Sequence, residues 1–155
     1  MDSALAELQE QTFAGATAAT RASFPPERRL SARQLADYLD RRAFAVVSTT
    51  RPDGRPHSTL TSYVRRGHRF WLPTGAGTVR EHNVRTRPWL SLVVTEGDRE
   101  SHVVVLVEGP ATVGGREAAP SDVAAAFPHE WVSAWLCLDA RRVLSYAAEG
   151  VLDPP

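Results

Sequence analysis

The sequence predicts one mainly β domain, a barrel or sandwich of short, mostly antiparallel strands with a few short α-helices. Three observations predict it. β-prone runs recur at short intervals between residues 44 and 113. Most are joined by turn chemistry built on Pro and Gly. At 155 residues, with 43% hydrophobic and 23% charged residues, the chain suits a single core, and it contains no repeat or internal linker.

Residues 1–30 are alanine-rich and end in Phe24-Pro25-Pro26, with Leu5 and Leu8 on one face of a short helix. They are expected to form an N-terminal arm, helical or partly disordered, outside the core and able to lie across a partner. The domain proper is expected over 31–150. Ser31 and Gln34 have capping-box spacing and open a helix that carries Leu35 and Leu39 on one face. From residue 43 the period changes to that of a strand. A β-prone run over 44–50, the turn Arg51-Pro52-Asp53-Gly54 and a second run over 57–64 predict a hairpin. Arg65-Arg66-Gly67-His68 is a further turn before a strand over 69–72. Strands follow over 89–95 and 102–113, the latter expected to bend at Gly109-Pro110. Pro120-Ser121-Asp122 starts a short helix stopped by Pro128, and runs at 135–139 and 143–146 supply a sixth and seventh strand. Residues 151–155, ending in Pro154-Pro155, are expected as a loose tail.

The stretch with the most chemistry is 74–88, TGAGTVREHNVRTRP, between two of these strands. A glycine-spaced loop, Gly75-Ala76-Gly77, opens into a short helix, and Thr78 and Glu81 again have capping-box spacing, which makes Thr78 the N-cap. The unpaired amides of a first helical turn favour an anion, and Arg80 in that turn can offer a planar fork of donors to phosphate or carboxylate. An ordinary strand–turn–helix connection with a solvated arginine gives the same pattern.

Composition narrows the chemistry. The formal net charge is zero, so no global field draws the chain to nucleic acid or to acidic lipid. All 18 basic residues are arginine, which excludes Schiff-base chemistry on a lysine. Cys137 is the single cysteine and sits between apolar neighbours, so an inert thiol is expected and no internal disulfide. With no signal-peptide pattern and no run of about 20 apolar residues, the expectation is a cytoplasmic protein that spans no membrane. The histidines His57, His68, His82, His102 and His129 form no metal-ligand spacing, and no metal site is expected.

Several landmarks recur in an order that is itself informative: Asp53-Gly54-Arg55-Pro56-His57, then Thr74, Arg80, Asn83-Val84 and Arg87-Pro88, then Ser91-Leu92-Val93-Val94, Val107-Glu108-Gly109-Pro110-Ala111, and Leu138-Asp139 with Arg142-Val143. From about residue 39 to 146 the chain thus resembles the pyridoxamine 5′-phosphate oxidase-like, flavin-binding split-barrel family, in its actinobacterial type. The resemblance implies a split barrel of six or seven strands that forms a homodimer, with FMN or the deazaflavin coenzyme F420 in a groove between subunits, and haem in a few relatives. It implies a cofactor-binding set of His57, Thr59, Thr61, Ser62, Thr74, Thr78, Arg80 and Asn83. Arg80 stands where the family usually has the lysine that meets the cofactor phosphate. By the same resemblance the strand from His57 to Ser62 runs along the ring system. The implied activity is oxidoreduction, a hydride passing between flavin and a small organic substrate, with no residue assignable as catalytic; the alternative is a non-catalytic haem or flavin carrier. Trp131 and Trp135 are expected to pack in the core or at an interface, the substrate side being the other option.

Overall fold

The computed structural model describes residues 3–153. Eight strands make one curled antiparallel sheet: β1 (Phe44–Thr50), β2 (Pro56–Ser62), β3 (Val64–Arg66), β4 (Arg69–Thr74), β5 (Trp89–Glu96), β6 (Val103–Gly115), β7 (Ala134–Asp139) and β8 (Arg142–Ala147). Their order is β2-β1-β5-β6-β7-β4-β3, with β8 also paired to β6. The count exceeds seven because the run at 57–64 breaks at Tyr63, whose ring is buried and whose hydroxyl donates to the Leu39 carbonyl at 2.5 Å. Only Tyr63 separates β2 at one end of the sheet from β3 at the other, so the sheet curls back on itself.

The long strand β6 makes that curl possible. Residues 103–110 pair with β5 and 103–108 with β8, whereas 111–115 pair with β7. The change of partners falls at Gly109-Pro110, the expected bend. A Cβ on Gly109 would run into the Asp139 carbonyl, so only glycine lets the β7–β8 connection cross this close. Gly54, with φ +86°, closes the β1–β2 hairpin in the left-handed conformation that residues with a side chain avoid.

Leu35, Tyr38 and Leu39 of α3 (Ala32–Arg41) pack with Phe70, Leu72, Leu92, Val105, Leu136 and Val143 in one core. Ser31 and Gln34 form the reciprocal capping box their spacing predicts. The N-terminal segment departs from the expected arm. Helix α1 (Ala4–Ala14), followed by the short α2 (Ala18–Ser23), buries Leu5 and Phe13, and Leu5 joins the main core. Thr12 of α1 accepts from the Val143 amide at 3.1 Å, and Ser145 donates to Gln9 while accepting from the Leu30 amide. These bonds dock α1 on β8; the apolar pattern of 1–30 is weak because polar side chains carry much of that contact. Val151 and Leu152 pack against the core and Gln34 donates to the Asp153 carbonyl at 2.6 Å, which ties down the start of the expected loose tail. Pro154 and Pro155 of that tail, and Met1 and Asp2 of the arm, lie outside the described residues. Among the described residues no helix is long and apolar enough to cross a membrane.

Candidate functional site

Strand β4 delivers Thr74, fully buried, to the mouth of the Gly75–Gly77 loop, and α4 (Val79–Thr86) begins just beyond it. Thr78 is the N-cap and its hydroxyl accepts from the Glu81 amide at 3.4 Å. The second half of the expected capping box is displaced by one residue: the Glu81 carboxylate accepts from the Gly77 amide at 2.7 Å. It also holds Arg85 at 3.0 Å. Ser133 clamps the loop from the other side, accepting from the Ala76 amide at 2.8 Å and donating its own amide to the Thr74 carbonyl at 3.1 Å.

Arg80 turns toward β4. Its Nε donates to Thr74 Oγ1 at 2.9 Å and an Nη to the Pro73 carbonyl at 2.9 Å. Thr74 Oγ1 in turn lies 3.2 Å from Thr78 Oγ1. The guanidinium is half-buried, and burial lowers its pKa from the ordinary value. Both acceptors are neutral, and among the described residues no carboxylate forms an ion pair with it. A partly desolvated cation without a counter-charge is a costly arrangement that an anion would relieve.

The remaining expected residues divide into two groups. On β2, His57, Thr59 and Thr61 face the same side as Thr49, Val47 and Ala45 of β1, the buried side. His57 Nδ1 and Thr59 Oγ1 are buried with no hydrogen-bond partner among the described residues, while Thr61 donates to the Ser62 carbonyl at 2.9 Å. Ser62 lies on the opposite face, paired with Phe44. Strand β2 ends the sheet, so its outer edge has no ladder partner among the described strands and its amides and carbonyls can meet a ligand. Asn83 is buried and donates to Thr49 Oγ1 at 3.1 Å, pinning α4 to β1. The structure thus gathers Thr74, Thr78 and Arg80 into one contact set, and places His57, Thr78 and Asn83 along one groove of about 850 Å³.

That groove runs between the β1–β2 turn and α4, and it includes residues the sequence reading left out: Arg51, Asp53, Val79, His82 and Arg85. The sequence marks Asp53 as turn chemistry and as part of the landmark at 53–57, and His82 as one of five histidines without metal-ligand spacing, and gives neither a place in a groove. Ser133 was also missed, since nothing in the sequence ties position 133 to a loop some fifty residues earlier.

Trp135 is buried among Val123, Val132 and Ala119, the packing role expected of it. Trp131 is instead exposed, meeting Phe127 edge to face and stacking loosely on His129. Cys137 is half-buried and burial raises its pKa, consistent with an inert thiol. Among the described residues no group of three or more His, Cys, Asp or Glu is placed to hold a metal ion.

Residues 31–150 match the family model described as pyridoxamine 5′-phosphate oxidase. Among solved structures, a conserved hypothetical protein of Mycobacterium tuberculosis superposes with a TM-score of 0.70 at 21% identity, over 85% of this chain and 94% of its own. An FAD-binding protein of Mycobacterium smegmatis gives 0.57 at 20% identity, over 76% of this chain and 95% of its own. The haem storage protein HutZ of Vibrio cholerae gives 0.60 at 10% identity, over 75% and 95%. No curated protein sequence matches the chain.

Proposed function

The chain belongs to the pyridoxamine 5′-phosphate oxidase family, and from that premise we propose that it is a homodimeric flavoprotein of the cytoplasm that moves a hydride between FMN, or a related flavin such as F420, and a small organic substrate. The observation that carries the reading is Arg80: a half-buried guanidinium held, among the described residues, by a hydroxyl and a carbonyl, with Thr74 and Thr78 beside it. This set fits the phosphate of a flavin. The residues of β2 fit the ring: its outer edge is open, and the unpartnered Thr59 hydroxyl and His57 nitrogen lie on the same strand. Hydride transfer is the chemistry a bound flavin supplies, while the protein anchors its charged end, aligns its ring and keeps water from the reactive face.

The homodimer is supported by the outer face of the sheet. Leu60, Val46, Val93, Leu106 and Leu144 stand in register across β2, β1, β5, β6 and β8, an aliphatic row five strands wide. Leu60 is 65% exposed and Phe44 beside the row 52%. A neighbouring row, Ser58, Ser48, Ser91, Glu108 and Arg142, is polar. An apolar stripe with a polar row along one side suits a partner surface, and a second copy of this chain is the occupant we assign.

The alternative is a non-catalytic carrier of haem or flavin, favoured by one observation: two imidazoles, His57 and His82, line one groove and could offer an axial ligand. The test is a parallel absorbance and fluorescence titration with FMN, F420 and haem, on the parent and on Arg80→Ala. Tight binding of a flavin that is lost with Arg80 supports the flavoprotein, and turnover of a reduced nicotinamide or deazaflavin separates enzyme from carrier. A haem Soret band with no flavin uptake supports the carrier.

A further inference from the structure

Two amides of the Gly75–Gly77 loop are satisfied within the chain. The Ala76 amide donates to Ser133 Oγ at 2.8 Å and the Gly77 amide to Glu81 Oε2 at 2.7 Å. Of the two acceptors only Glu81 carries charge, and it is buried. Its other oxygen, Oε1, is paired with the exposed Arg85, Nε at 3.1 Å and Nη2 at 3.0 Å. Capping alone does not need that charge. At the matching position of α3 the neutral Gln34 does the same work, accepting from the Ser31 amide at 2.9 Å. The place of the bond differs as well: Gln34 caps the N-cap residue of its own helix, whereas Glu81 reaches back into the glycine loop. Thr78 joins this carboxylate to the Arg80 set. Its Oγ1 lies 3.4 Å from the Glu81 amide and 3.2 Å from Thr74 Oγ1, which accepts from Arg80. An anion held by Thr78 and Arg80 therefore sits within one Debye length, about 10 Å, of the Glu81 carboxylate.

We propose that Glu81 is an internal competitor for the ligand's anion: its carboxylate holds the Gly77 amide, and a ligand phosphate binds by taking that amide over. The inference rests on the flavin reading and adds what limits the affinity of that site. The amide and Arg80 both favour negative charge, and two anions cannot share them without repulsion. Displacement needs somewhere for the carboxylate to go. Arg85, one helical turn along and exposed, keeps it paired as it turns outward. A weakly held anion gains too little to evict it, so Glu81 makes the site selective for a ligand that brings other contacts along with its phosphate.

The test is a fluorescence titration of the full-length protein with FMN and with riboflavin, which share a ring system and differ in the phosphate, with a thermal melt of each variant. Glu81→Gln keeps an oxygen for the Gly77 amide and removes the charge. The expected result is FMN binding about tenfold tighter than in the parent, with riboflavin within about twofold. Arg85→Ala takes away the partner that receives the carboxylate. It should weaken FMN by about threefold or more, an effect much reduced in the Glu81→Gln background. Equal or weaker FMN binding by a folded Glu81→Gln protein would overturn the proposal, as would an equal gain for riboflavin. If Glu81→Gln does not fold, Arg85→Ala decides, and an unchanged FMN affinity overturns the proposal. Failure of the flavin reading itself looks different: the parent takes up neither ligand. Inorganic phosphate is then the probe, and it should raise the melt of Glu81→Gln more than that of the parent. The same response in both, or none in either, would overturn the competitor role as well.

Discussion

Replacing Arg80 with alanine separates a ligand-binding role from a structural one, and the geometry sets both magnitudes. The structural loss is two hydrogen bonds, to Thr74 Oγ1 and to the Pro73 carbonyl, each at 2.9 Å. Bonds from a charged donor are worth about 1.5 kcal/mol or more each net, and relief of a half-buried, uncompensated cation offsets much of that loss. The ligand-free protein should therefore lose no more than about 1–2 kcal/mol, read from urea denaturation. A guanidinium meeting a phosphate by charge-assisted bonds is worth about 2–4 kcal/mol, so flavin affinity should fall by about 30- to 700-fold. Arg80→Lys keeps the charge and gives up the fork, and should recover most of the affinity at low salt. The assay is flavin fluorescence in parallel with the denaturation curve. Binding within about threefold of the parent in a folded Arg80→Ala protein would refute the reasoning, because the cation would then have no anion to serve. If alanine disturbs folding, Arg80→Lys at rising salt carries the same test, since a phosphate contact weakens with screening.

Three further outcomes follow from other contacts. Thr49→Val removes the acceptor of the buried Asn83 amide and should cost about 1–3 kcal/mol in urea denaturation, while Thr49→Ser should restore most of it. Burial, helped by the Glu96 carboxylate, raises the Tyr38 phenol from 10.0 to about 12. The folded state then holds this proton more tightly than the unfolded chain. Its contribution is complete below pH 10 and is lost as pH rises toward about 12, so stability should fall across that window and less steeply in Tyr38→Phe. Leu60→Glu places a charge in the aliphatic row and should convert a dimer to a monomer in sedimentation equilibrium; a parent already monomeric at micromolar concentration would exclude the dimer.

Much of this architecture is legible in the sequence because the signals are local. Ser31 and Gln34 cap α3 as their spacing says, the Pro52-Asp53-Gly54 turn closes the hairpin, and Gly109-Pro110 marks where β6 changes partners. Where a signal depends on three dimensions it fails. Thr78 and Glu81 have the same spacing as Ser31 and Gln34, yet the Glu81 carboxylate reaches Gly77, because spacing alone cannot tell the cap amide from the one before it. The break at Tyr63 is invisible in a continuous β-prone run; it exists because that ring is needed in the core beneath Leu39. The docking of α1 rests on Gln9, Thr12 and Ser145, polar residues that hydrophobic periodicity ignores. In the candidate site, Arg80, Thr74 and Thr78 stand within seven residues of one another and are found together. Arg51 and His82 share a groove only because β1 lies beside α4, a neighbourhood that appears once the Asn83–Thr49 bond is formed.

The double membership of β6 has a consequence for how the molecule opens. Its first half belongs to one side of the curled sheet and its second half to the other, so neither side can separate without breaking this strand's hydrogen bonds. Hydrogen–deuterium exchange should accordingly find no partial opening that frees one side alone. Amides of Val105 and Val107, flanked by β5 and β8, should exchange only through global unfolding, at the same free energy as the inner amides of β7. The free edge of β2 should exchange far sooner. The segment offered to the ligand is then the one that breathes, held against a frame that yields only all at once.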